Sequence, residues 1–285
     1  MAAHVPGTAF APPAVRIKRL LIHIVLSAGA IVMVLPFVWM ISTSLKSNGE
    51  ALTVPLRLLP DTLLWQNYID VINQLNYGRF FLNSVIVAAL RVGGQLITCS
   101  LAAYAFARLR FPGRNLLFPL YLVALMVPFQ VYMIPDFIVM KYLGWLDTLQ
   151  GIAVPGMFSA FGIFLLRQAF MGVPRELEEA AIIDGASPPG VLWRIVLPLS
   201  RPALASLSIL TFLYSWNDLL WPLLVARSEQ HYVLPIGLAL LQGQYQTNWS
   251  WLMAAGVMAT LPVIIVYLFA QRYFVEGVTM TGLKG

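Results

Sequence analysis

Charge is scarce in this chain: Asp, Glu, Lys and Arg make up only 11% of its 285 residues, 59% are hydrophobic, and mean hydropathy is +0.78. A soluble domain of this length cannot bury so much apolar surface, which excludes an ordinary globular fold and implies a bilayer. Cysteine is nearly absent. The lone Cys99 excludes an intrachain disulfide and a cysteine metal centre. His4, His23 and His231 are isolated, without metal-ligand spacing, and His-Glu-x-x-His does not occur. Gly-x-x-x-x-Gly-Lys-Ser/Thr is also missing, so the chain has no phosphate loop with which to hold ATP. No paired nucleophile and base can be assembled, and no catalytic residue is expected. The formal charge is +6, but the basic residues stand singly between apolar runs and form no stripe, which argues against nucleic acid as a partner.

What the chain has instead is long apolar runs. Crossing about 30 Å of hydrocarbon takes roughly 20 mainly apolar residues in a helix. Six runs qualify, at about 20–43, 81–106, 115–139, 151–170, 201–225 and 251–271. The expected fold is an all-α membrane protein of six transmembrane helices, with a flexible segment at 1–19, a spanning domain at 20–271 and a tail at 272–285. The first run is too long for a signal-peptide core and lacks a convincing cleavage site. With the N-terminus inside, the cytoplasmic segments carry twelve basic residues: Arg16, Lys18, Arg19, Arg108, Arg110, Arg114, Arg167, Arg175, Arg194, Arg201, Arg272 and Lys284. The outer segments carry five: Lys46, Arg57, Arg79, Lys141 and Arg227. This asymmetry follows the positive-inside rule and places both termini in the cytoplasm. Trp39, Trp65, Trp145, Trp221 and Trp249 fall near the outer boundaries, where amphipathic rings favour the headgroup level. The longest outer segment, about 44–80, reads either as a plain connector or as a helix-containing cap.

Three polar residues interrupt the spans. Arg91 lies in the second, where a central charge costs roughly 2.5–3.5 kcal/mol. Apolar neighbours such as Val87, Leu90 and Leu96 offset this at about 0.3–0.6 kcal/mol each, so the span still inserts. Asn217 and Asp218 lie in the fifth, and an intramembrane carboxylate is a candidate for a pathway or gate. All three also have a plainer reading, as packing or interhelical hydrogen-bonding groups. Pro128, Pro135, Pro155, Pro222 and Pro262 are kink candidates, because proline removes a backbone donor and crowds the preceding turn.

The sharpest departure from the apolar background is the loop at 171–200. Pro174 suits a first helical turn, Glu176, Glu178 and Glu179 complement the positive end of a helix dipole, and Ala180 and Ala181 favour helix. Gly185 then supplies a left-handed terminus. Ser187 and Pro188 start a second helix, with Val191, Leu192, Ile195 and Val196 at helical spacing up to Pro198. The loop therefore reads as a helical hairpin joined directly to the fifth span.

Glu179-Ala180-Ala181, Gly185, Ile195 and Leu197-Pro198 match, in order and spacing, the EAA motif of ABC importer permeases: Glu-Ala-Ala, three residues, Gly, nine residues, Ile, one residue, Leu-Pro. Ala102 to Arg108 with Phe111-Pro112-Gly113-Arg114, Trp216-Asn217-Asp218 with Trp221-Pro222, and Gln271-Arg272-Tyr273-Phe274 narrow the resemblance. They are similar to the carbohydrate-uptake group, which includes the second membrane subunit of the maltose transporter. The resemblance implies the type I importer permease (MetI-like) fold in a prokaryotic cytoplasmic membrane. It also implies that Glu179, Ala180, Ala181, Asp184, Gly185, Ile195, Leu197 and Pro198 form the coupling element of an ATPase contact. The family tail Gly-Leu-Thr-x-Gly-Ala-Val-Lys-Gly is matched by 277–285 with Thr281 in place of a glycine, so Thr281, Gly282 and Lys284 become candidates for a further ATPase contact.

The implied partners are a second permease subunit, two ATPase subunits that bind the ATP and magnesium, an extracytoplasmic solute-binding protein and a carbohydrate. Glycerol phosphate derivatives and amino sugars are alternative cargoes within the same group. An ion-coupled secondary transporter is the mechanistic rival, with Arg91, Asp136 and Asp218 as its intramembrane charges.

Overall fold

The computed structural model describes residues 13–55, 57–243 and 247–281, and side chains from Arg19 to Gln271 within those ranges. The described chain is helical and has no strand, only an isolated antiparallel bridge between Gln242 and Thr247. Its helices are α1 (Pro13–Ser44), α2 (Asn48–Ala51), α3 (Gln66–Gln74), α4 (Tyr77–Arg108), α5 (Arg114–Val123), α6 (Phe129–Tyr142), α7 (Leu149–Ala153), α8 (Ala160–Met171), α9 (Arg175–Ile183), α10 (Pro188–Val191), α11 (Leu197–Leu199), α12 (Arg201–Trp216), α13 (Leu220–Val225), α14 (Leu234–Leu240) and α15 (Trp249–Thr281). Three helices contain an unbroken stretch long and apolar enough to cross a membrane: Arg19–Ser44, Tyr77–Arg108 and Trp249–Gln271. Three more candidates are bent pairs: Arg114–Met126 with Phe129–Tyr142 at 100°, Leu149–Met157 with Ala160–Met171 at 42°, and Pro188–Leu199 with Arg201–Trp216 at 80°.

The bends have local causes. Pro128 has no backbone donor, adopts an extended conformation and caps α6, which ends the preceding run of helix as expected. Pro155 opens the short 3₁₀ turn between α7 and α8. Pro135 and Pro262 are carried inside intact helices, where proline was only a candidate for a kink. The fifth run is not one helix. α12 stops at Trp216, and Asp218 Oδ1 then accepts the Trp221 backbone N–H at 3.4 Å at the start of α13. Helix α1 begins at Pro13 and α15 runs to Thr281, so helix extends into both segments that flank the spanning region.

Helix α4 is the central post, packed on α8, α12 and the turn before α8, while α1 packs on α15 at the periphery. Small residues permit the closest approaches. A Cβ on Gly237 would come within 2.5 Å of the Phe80 ring, and one on Gly94 within 2.4 Å of Met157. The 45–76 region is a built cap: Asn67 Nδ2 donates to the carbonyls of Ser44 at 2.8 Å and Lys46 at 2.9 Å, and the Lys46 ammonium donates to the Arg57 carbonyl beneath Trp39. Asp147 joins the segment before α7 to the one after α13 by accepting the N–H groups of Arg227 at 2.9 Å and Ser228 at 3.0 Å. Burial raises its pKa, but these bonds and those from Ser228 Oγ and His231 outweigh it and hold the carboxyl at about 2.

Candidate functional site: a helical hairpin and a polar cavity

The 171–200 loop folds as the hairpin its sequence requires. Pro174 precedes α9, Asp184 closes it by donating its N–H to the Ala180 carbonyl at 3.0 Å, and Gly185 follows at φ +85°. That left-handed backbone disfavours any residue with a Cβ. Ser187 occupies the cap of α10 without a side-chain hydrogen bond. The helix then widens into a π-helical turn at Leu192–Val196, just before Pro198, which cannot donate to the preceding turn.

The two limbs differ in what they bury. Val191, Leu192 and Val196 enter one apolar cluster with Ala103 and Tyr104 of α4, Leu166 and Phe170 of α8, and Leu207 of α12. These three are the anchors; Ile195, Leu197 and Pro198 of the motif are only half-buried. The tip faces outward: Glu179, Ala180, Asp184 and Gly185 are exposed, with Ile182 58%, Ile183 86% and Trp193 60% accessible. Large apolar side chains thus stand open beside charged ones at the tip.

A tie that the motif does not contain fastens α9 to α4. Arg108 Nε lies 2.6 Å from Glu178 Oε1, and both side chains are about nine-tenths buried. The pair is an ion contact without hydrogen-bond alignment. The same guanidinium donates through Nη2 to the carbonyls of Phe170 at 2.7 Å and Val173 at 2.6 Å, the last turn of α8 and its exit. Burial pushes the Glu178 carboxyl up, and the neighbouring Arg108 only partly reverses this. Helical phase was the available signal, since Glu178 and Ala181 share the inward face that Glu179 lacks.

The second element is a cavity of about 450 Å³ bounded by α4, α6, the turn before α8, α12 and the 217–221 bend. Arg91, 2% exposed, donates through Nη1 to Asp218 Oδ2 at 2.8 Å and through Nη2 to the Ile152 carbonyl at 2.9 Å, leaving Nε unpaired. Gly156 makes room for it, because a Cβ there would lie 2.6 Å from that Nε. One turn along α4, Gln95 donates to the Gly156 carbonyl at 2.8 Å and accepts from Thr211 at 2.8 Å. Phe129, Tyr132, Phe158, Phe161, Tyr214 and Trp221 supply aromatic faces, and Asp136 a second carboxylate. The sequence thus brings Arg91 and Asp218 together across 127 positions, as a buried pair. Asn217 is separate: it is exposed and donates to the Leu213 carbonyl at 2.8 Å at the end of α12. Thr281 is the last residue of α15 and its side chain is not described; Gly282 and Lys284 lie outside the described residues.

The chain is 38% identical over 259 residues to the arabinooligosaccharides transport system permease protein AraQ of Halalkalibacterium halodurans, covering 90% of this chain and 93% of that one. It is 37% identical over 264 residues to the sn-glycerol-3-phosphate transport system permease protein UgpE of Pectobacterium atrosepticum, covering 90% and 94%. Its fold superposes with TM-score 0.80 and 29% identity on a chain from the crystal structure of a bacterial ABC transporter involved in the import of the acidic polysaccharide alginate, covering 94% of this chain and all of that one. Residues 95–280, which hold the hairpin and most of the cavity wall, match the model of one transport family. The chain is a member of the binding-protein-dependent transport system inner membrane component family.

Proposed function

We propose that this chain is the non-catalytic half-pathway of an ATP-driven importer, with six spans, both termini in the cytoplasm of a prokaryotic cell, and a carbohydrate cargo handed over by an extracytoplasmic binding protein. A second permease completes the pathway, and two ATPase subunits hold the ATP and magnesium. The observation that carries this reading is the hairpin: its tip is apolar and open, and its root is packed among α4, α8 and α12. A load applied at α9 reaches the helices that wall the cavity, so closure of the ATPases moves the pathway between outward and inward access. Glu179, Ala180, Ala181, Asp184 and Gly185 present the contact, while Ile195, Leu197 and Pro198 carry it into α12.

The cavity favours a neutral saccharide over glycerol phosphate. Arg91 is already neutralised by Asp218, and Asp136 adds a negative charge to the same wall. An anionic cargo therefore meets repulsion there, whereas aromatic faces beside Gln95, Thr211 and Ser159 suit a sugar ring with its apolar faces and hydroxyl rim. The arabinooligosaccharide relative fits this cargo class.

The test is solute uptake and ATPase activity of the assembled complex carrying Glu179→Lys or Gly185→Pro, the latter incompatible with φ +85°. Uptake should fall by roughly ten-fold or more in each, a loss of about 1.4 kcal/mol in coupling. Unchanged uptake per ATP in both variants overturns the reading.

A further inference from the structure

A second cavity, of about 430 Å³, opens where α4 ends, α5 starts, α8 ends and α9 begins. Arg108, Arg114, Arg167 and Arg175 line it with a single acid, Glu176. Arg108 is occupied by Glu178 and two carbonyls, but Arg114 and Arg167 are not balanced. The Arg167 guanidinium lies over the Phe118 ring at 4.1 Å, and Phe118 is one turn beyond Arg114 on α5, so both cations share one wall. Among the described residues neither meets a carboxylate. Arg114 donates to the Leu109 carbonyl at 3.1 Å and to Asn115 Oδ1 at 3.4 Å, and Arg167 to the Phe106 carbonyl at 3.4 Å. Both side chains are half-buried, and each keeps donors to spare. Two guanidinium groups held together in a cleft call for an anion between them, and their planar donor forks match phosphate oxygens.

The surroundings indicate what carries that anion. The cleft lies where the apolar helices end: Met171 of α8, 49% exposed, lines it, and Leu117, 49% exposed, stands one turn from Arg114 on α5. A free anion has no use for those side chains. A ligand with an anionic head and hydrocarbon tails uses both parts.

We propose that this cleft binds an anionic phospholipid, with its phosphodiester on Arg114 and Arg167 and an acyl chain along Met171 and Leu117. Because the cleft shares Arg108, Arg175 and Glu176 with the root of the hairpin, an occupied cleft steadies α9 against α4. The proposal rests only on the membrane insertion contained in the functional reading above, not on cargo or coupling.

The intact complex, with its ATPase subunits, is equilibrated with phosphatidylcholine and phosphatidylglycerol in equal amounts, and retained lipid is counted by native mass spectrometry. The wild type should retain phosphatidylglycerol over phosphatidylcholine by roughly ten-fold or more, the scale of two arginine contacts to a headgroup. Arg114→Gln with Arg167→Gln should erase the preference while the complex still assembles, and Arg114→Lys with Arg167→Lys should keep part of it. If the glutamine pair does not assemble, single Arg167→Gln serves, with an expected partial loss. A preference unchanged by these variants, or absent in the wild type, overturns the proposal. So does a preference abolished by excess inorganic phosphate, which assigns the cleft to a free anion, or one lost when the ATPase is stripped off, which assigns it to that subunit. A complex that transports without lipid selection leaves the functional reading intact.

Discussion

Arg108→Ala should leave the complex assembled in the membrane yet cut uptake per ATP by roughly ten-fold or more. Arg108 is where three elements meet: its guanidinium holds the Glu178 carboxylate of α9 and the carbonyls of Phe170 and Val173 at the exit of α8, from the last turn of α4. Removing it strands a buried carboxylate, a change that costs about 3–5 kcal/mol when one partner of a buried pair is lost. The simplest relief is for α9 to swing outward so that Glu178 reaches water, which detaches the hairpin from the post it must push. Two companion measurements separate this from a general loss of folding. Glu178→Gln in the Arg108→Ala background removes the stranded charge and should recover a substantial part of the coupling. Lower pH should do the same. A buried carboxyl whose pKa is raised carries its cost above that pKa, where it is ionised, and the cost disappears as pH falls through it and the group takes up a proton. Uptake of the single variant should therefore improve toward mildly acidic pH relative to wild type. If Arg108→Ala couples normally, the tie is ornamental.

Asp218→Ala should produce the larger loss of stability, read as the yield and thermal unfolding midpoint of the detergent-purified complex. Arg91 is 2% exposed and its Nε has no partner, and Asp218 is its only ion-pair partner among the described residues. Leaving that guanidinium alone in the membrane interior costs about 3–5 kcal/mol on the scale of broken buried pairs. Gly156→Ala should act in the same direction by pressing a methyl group into Nε and Cδ, which a Cβ would approach to 2.6 and 2.8 Å. The pair itself is a different matter. Arg91→Met combined with Asp218→Asn removes both charges, keeps comparable volume and leaves an oxygen for the Trp221 N–H, so the midpoint should return to within about 1 kcal/mol of wild type. Transport should not return with it, because the double variant strips both charges from the cavity wall. A destabilised double variant, or an unchanged single one, contradicts this account of Arg91.

Most of the hairpin was legible because its signals are local. Pro174 before α9, the acidic first turns and Gly185 after it act on their immediate neighbours, and each is found where those effects require. The bend at Pro128 was legible for the same reason. What escaped depends on distance or on helical phase. Arg108 and Glu178 are 70 positions apart, and only the rotation of α9 by one residue decides that Glu178 faces in while Glu179 faces out. Arg91 and Asp218 each announced themselves as charges in apolar runs, but their pairing belongs to the topology that lays the 217–221 bend against α4. The break after Trp216 had a readable cue: Asp218 stands three residues before Trp221, just ahead of the α13 cap, where a short acidic side chain can accept a first-turn N–H and so marks a new helix rather than the interior of one. The cavity aromatics carried no such cue, since Phe129, Phe158 and Tyr214 are individually indistinguishable from residues that face lipid.

The central claim is that the tip of the 171–200 hairpin is where the ATPase bears on this chain. Cys99 is fully buried, so a cysteine introduced as Ile183→Cys, at a site 86% exposed, is the one thiol open to reagents. In membranes containing the assembled complex, a short bifunctional cross-linker on residue 183 should join this chain to the ATPase subunit. The free thiol should be shielded from a water-soluble maleimide until the ATPase is stripped away. Full maleimide labelling of the intact complex with no cross-linked product would place the ATPase elsewhere and contradict the account.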